Sequence, residues 1–166
     1  MDETTRTRSR KNPALPLACG IALLAGTAPA TWWATRTSPE EAAARHGYPL
    51  GEAEYAVEPL PLPDWAVHAA GLGGAAVALA AAGLLAWGIA TGRIERVWGP
   101  VLVCLLPLPV MAGLWWSIAT APVIGANIGL GLATWVFPPL AAVFLATAAA
   151  IAALSRRRRR AGRAAP

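Results

Sequence analysis

The chain has 166 residues, 56% apolar and 14% charged, with a net charge of +5. A soluble domain carries about 25% charged residues, so the deficit excludes an ordinary water-facing surface. The basic residues flank apolar runs instead of forming a face of their own, which points to a membrane surface and away from nucleic acid.

Residues 1–13 form a basic N-tail with Arg6, Arg8, Arg10 and Lys11. Residues 14–35 follow as the first span. A bilayer core about 30 Å thick needs about 20 apolar helical residues, and this run contains no Asp, Glu, Lys or Arg. It ends on Trp32 and Trp33, amphipathic rings that favour the headgroup level. The first 30 residues also fit a signal peptide, with Ala28-Pro29-Ala30 as a small-x-small cleavage site. The apolar run continues past that site into the tryptophans, which favours an uncleaved anchor.

Residues 36–64 form an acidic, Pro-rich loop. Ser38-Pro39-Glu40-Glu41 reads as a helix start with a capping box, and Gly47 as its stop. Beyond it, Pro49, Pro59, Pro61 and Pro63 favour extended chain. Glu40, Glu41, Glu52, Glu54, Glu58 and Asp64, with His46 and His68, present a surface that could attract a cation. Their spacings match no ligand pattern, so the expectation is a solvated loop without metal or cofactor.

The second span, residues 65–91, opens on Trp65 and closes near Trp87. Ala70, Gly74, Ala78, Ala82, Ala86 and Ala90 recur along it every four residues. Lipid tails are as apolar as Leu, so helices associate through close contact that small residues allow. A cytoplasmic loop, 92–97, carries Arg93 and Arg96. The third span, 98–120, begins at Trp98, ends near Trp115 and Trp116, and holds Pro107 and Pro109. A short apolar loop, 121–128, leads to the fourth span, 129–154. That span holds Pro138, Pro139 and the small residues Ala142, Ala146 and Ala150. Each proline removes an intrahelical hydrogen bond and bends the helix. Broken helices mark binding sites in transporters, but a plain kink is the commoner case. Residues 155–166 form a polybasic tail with Arg156, Arg157, Arg158, Arg159, Arg160 and Arg163, suited to anionic lipid headgroups and to fixing orientation.

With four spans, the N-tail, the 92–97 loop and the C-tail share one side. That side holds twelve of the fourteen basic residues, and the other holds only Arg36 and Arg45. The expectation is therefore an all-α four-transmembrane-helix bundle with both ends in the cytoplasm. The Ala, Arg, Gly and Pro bias suggests a bacterial chromosome rich in G and C, which makes the membrane the plasma membrane. Cys19 and Cys104 each lie about 8–9 Å inside the cytoplasmic end of a span at 1.5 Å per residue, and read as packed thiols.

The chain has no C-x-x-C pair, intramembrane carboxylate, H-E-x-x-H, P-loop or G-x-S-x-G motif, so no named reaction attaches to it. The leading expectation is a non-enzymatic accessory or scaffold subunit. It would contact anionic headgroups and either a membrane-protein partner or further copies of itself. The alternative is an oligomeric small-solute permease or channel built on the Pro-broken third and fourth spans. The topology is open to cysteine labelling in intact cells, with both native cysteines replaced and single cysteines at Ala43, Thr91 and Ala164. We expect Ala43 to react from outside, and Thr91 and Ala164 only after permeabilisation. Labelling of Ala164 from outside would overturn the four-span arrangement.

Overall fold

A computed structural model describes residues 14–47, 49, 55–122 and 126–164. The N-tail, Glu52, Glu54 and Gly125 lie outside the described residues, as do the side chains of His46, Arg158, Arg159, Arg160 and Arg163. The order is α1 (Ala14–Thr35), α2 (Pro39–His46), α3 (Asp64–Ala90), α4 (Trp98–Leu105), α5 (Pro107–Ala119) and α6 (Ala126–Ala164). Four stretches are long and apolar enough to cross a membrane, with α4 and α5 together making the third. Lipid offers no partners to backbone N–H and C=O groups, so each run satisfies them along its own helix.

The helices pack as an open row. α1 lies between α3 and α5, and α6 packs on α4 and α5. Among the described residues, neither α1 nor α3 comes within packing distance of α6.

The central contacts depend on glycines. A Cβ on Gly26 would lie 2.5 Å from the Gly74 carbonyl oxygen, and one on Gly74 would lie 2.7 Å from the Gly26 carbonyl oxygen. On the other flank of α1, a Cβ on Gly113 would lie 2.5 Å from the Ala28 carbonyl oxygen and 2.8 Å from Thr31 Cβ. Gly71 leaves the space that the Trp33 ring fills. The seam on α3 runs through Val67, Gly71, Ala81, Leu85 and Gly88, all buried, with Gly74 and Ala78 half-buried between them. Its steps alternate four and three residues, a 3.5-residue period that keeps one stripe against one neighbour. A stripe of every fourth residue instead drifts about 40° per step at 3.6 residues per turn. Gly74, Ala78 and Ala82 therefore lie on or beside the seam, while Ala70, Ala86 and Ala90 face outward.

At the end that bears the basic loop, Gly92 takes a left-handed φ of 69°. The Ile94 N–H then donates to the Gly88 carbonyl at 2.8 Å. Ile94 folds over Gly88 and is only 3% exposed, joining Cys19, Leu85 and Leu102 in one apolar cluster. Cys19 and Cys104 are both free thiols, the first buried and the second half-buried.

At the opposite end, Ser38 caps α2 by accepting from the Glu41 N–H at 3.2 Å, and Gly47 ends it at φ 71°. Glu41 also meets Arg45 at 3.5 Å, an exposed pair that adds little stability. Ala42 on α2 is fully buried. The Ser117 hydroxyl donates to the Thr35 carbonyl at 2.9 Å, tying α5 to the end of α1. The Val57 N–H donates to the Ala119 carbonyl at 2.8 Å, so the loop before α3 is tied to α5.

The backbone stays helical through the prolines of the third and fourth spans. Leu106, between α4 and α5, keeps helical angles of φ −59° and ψ −36°, and its N–H still donates to the Leu102 carbonyl at 2.9 Å. α6 runs unbroken through Pro138 and Pro139 for 39 residues, about 58 Å at 1.5 Å per residue. It outlasts the apolar core and carries the arginine run into the interface as helix, a state Arg supports well.

We expect Gly74→Val to lower the unfolding free energy in mixed micelles by about 1–3 kcal/mol, the usual cost of overpacking. Gly83→Ala, where an added Cβ meets nothing within 4 Å, should cause no loss. Equal losses would show that the close crossing does not hold the seam.

Candidate functional site

The most developed concavity lies between α5 and α6. Its α5 wall is Leu108, Met111, Ala112 and Trp115, and its α6 wall is Thr134, Phe137, Pro138 and Ala141. The cleft holds about 440 Å³, within the ordinary range for a small-ligand site of about 300–1,000 Å³. It opens beside Pro138. A proline has no N–H, so the carbonyl four residues earlier, that of Thr134, loses its α-helical donor. The Thr134 hydroxyl donates to the Leu130 carbonyl at 2.8 Å and accepts from Trp115 Nε1 at 3.2 Å. This pair is the polar feature of an otherwise apolar cleft.

The other prolines make no comparable opening. Pro107 starts α5 at its first position, where a missing N–H is tolerated. Pro109 sits two residues further on, half-buried. A smaller cavity of about 250 Å³ lies on the opposite flank of α5, where Ala112 and Gly113 face Pro29 and Trp32.

The tryptophans take different roles. Trp33 stacks edge-on against His68, with centroids 6.0 Å apart at 69°. The His68 ring in turn meets the Asp64 carbonyl through Nδ1 at 2.8 Å. Trp65 is exposed at the start of α3. Trp87 carries the Arg93 guanidinium 4.4 Å above its ring, a cation–π contact that fixes the basic loop at the helix end. Trp98 packs on the cluster around Leu102, and Trp115 and Trp116 lie side by side with centroids 6.4 Å apart. Trp135 lies nine residues into α6 and is 83% exposed.

Ala142, Ala146 and Ala150 all lie on the outward side of α6, while Ala133 and Ala148 are buried on its inner side. Arg156 borders a pocket of about 200 Å³ with Glu95, Trp98 and Ser155, where α6 passes α4. Arg157 is exposed beside it. Among the described residues, no three His, Cys, Asp or Glu side chains come together to hold a metal ion.

Two features were not singled out in the sequence. One is the set of packing glycines other than Gly74, namely Gly26, Gly71, Gly88 and Gly113. The 3.5-residue spacing on α3 was a usable signal for two of them. The other is the Trp115–Thr134 hydrogen bond, which spans 19 residues and has no local signature. No protein-family model matches the chain, and searches of curated proteins and of solved structures return no match.

Proposed function

We propose that this protein is a non-enzymatic accessory or scaffold subunit of a plasma-membrane complex, with both ends in the cytoplasm and α6 as the helix offered to a partner. The observation that carries this reading is the position of α6. Only 6% of its most apolar stretch is buried within the chain, and its small-residue stripe faces outward. In a bilayer, burying apolar surface gives little drive, so a helix finds partners through close packing at small residues. Ala142, Ala146 and Ala150 offer such a surface and are not used internally. On this reading α1 is retained, because a cut after Ala30 would remove most of the helix that α3 and α5 share.

The alternative, an oligomeric small-solute permease or channel, draws on the cleft at Pro138. Transporter sites built on broken helices present unwound backbone to the solute. Here both Pro-bearing spans stay helical through their prolines, which supports the accessory reading over the permease.

A photo-crosslinking residue at Ala142 or Ala146 in native membranes tests the proposal. We expect a discrete protein adduct from these positions and none from Leu79, an exposed residue on α3. Ala146→Trp should abolish the adduct formed from Ala142. An adduct of twice the chain mass would identify the partner as a second copy. Lipid adducts alone from all three sites would end the proposal.

A further inference from the structure

The cleft between α5 and α6 has a chemical polarity that narrows what it can hold. Thr134 lies eight residues into α6, about 12 Å below its start at 1.5 Å per residue, and Trp115 lies about 6 Å from the end of α5. Both are near the membrane end opposite the arginine run. Leu108 and Ala141 lie seven residues deeper, about 10 Å further towards mid-membrane. The cleft is therefore polar at its shallow end and apolar below, the same sense as a membrane lipid.

The hydrogen-bonding groups at the shallow end are acceptors. The Trp115 N–H is already committed to Thr134 Oγ1, and the Thr134 O–H to the Leu130 carbonyl. A hydroxyl oxygen has two acceptor positions, so one on Thr134 remains. The Thr134 main-chain carbonyl is the second acceptor, since Pro138 has no N–H to give it. Thr134 and Pro138 both line the cleft, so the residue that carries this carbonyl belongs to its wall. Thr134 itself is exposed, so an incoming group can reach it.

We infer that the α5/α6 cleft binds a chain-like lipid alcohol, its hydroxyl donating to Thr134 and its hydrocarbon chain lying along Met111, Phe137 and Ala141. A molecule with acceptors only, such as an ester or a quinone, finds no donor there. The site lies on the inner side of α6 and is independent of the outward face proposed for a protein partner.

The test uses the full chain in lipid nanodiscs and a long-chain primary alcohol bearing a mid-chain diazirine. Cross-linked residues are mapped by mass spectrometry. We expect labelling at Met111, Phe137 and Ala141, competed by the plain alcohol of equal length and not by its methyl ether. Thr134→Val should weaken competition about three- to tenfold, the effect of one modest hydrogen bond. Pro138→Ala, which restores the donor to the Thr134 carbonyl, should weaken it too. Equal competition by alcohol and ether in the unaltered protein, or labelling spread evenly over Leu79 and Val143, would reduce the cleft to an ordinary lipid contact and overturn the inference.

Discussion

The fold depends on how closely two helices can approach one stretch of α1. Between Gly26 and Trp32, α3 comes in from one side at Gly74 and α5 from the other at Gly113, each near enough that a single methyl group would strike main-chain atoms. In water, burial of apolar surface would draw such helices together whatever the fit. In lipid that drive is missing, and contact distance decides association. Dispersion between two backbones falls off steeply when a side chain separates them. The glycines are therefore the condition for the row to exist. The hydrogen bond from Ser117 to the Thr35 carbonyl and the fold of Ile94 over Gly88 then secure its two ends.

A row has two edges. α3 closes one edge and α6 the other, and the two edges differ. α3 is fastened along most of its length to α1 and capped at both ends by ordered turns. α6 meets the α4/α5 pair, and its buried residues Ala133 and Ala148 lie on either side of the stretch that lines the cleft.

Much of the architecture was legible in the sequence because lipid imposes simple rules. Charge-free runs of the right length had to be helices, and Ser38, Pro39 and Gly47 punctuated α2 where it forms. The packing faces were harder to read. Alanine is so abundant that an every-fourth-residue stripe appears on α3, and over five steps that stripe turns through about 200°. It cannot stay against one neighbour, and the seam follows Val67, Gly71, Gly74, Ala78, Ala81, Leu85 and Gly88 instead. The stripe on α6 could not be assigned from sequence to an internal or an external neighbour. It records which residues are small, but not which side of the helix the rest of the chain occupies, and that side is set by contacts with α4 and α5 far away in sequence. The cleft was half legible: the prolines marked where an intrahelical hydrogen bond is lost, and Pro138 lines the opening. The position of Trp115 opposite Thr134 was not, because it depends on the register of two helices joined through a turn.

Trp115 also shows how one residue can serve two purposes in a bilayer. Its ring lies about 6 Å from the end of α5, and indoles are favoured at a membrane boundary for their amphipathic character. Its N–H, which in most boundary tryptophans can turn to water or headgroups, is committed instead to Thr134. That commitment removes the only ring donor from the cleft and leaves the Thr134 oxygens as acceptors. A phenylalanine at 115 would fill similar space and leave Thr134 with a second open acceptor position, making the cleft still more demanding of a donor. A histidine there would bring a polar ring with a donor of its own. The identity of residue 115 therefore sets the polarity of the cleft, while the proline at 138 frees the Thr134 carbonyl in its wall.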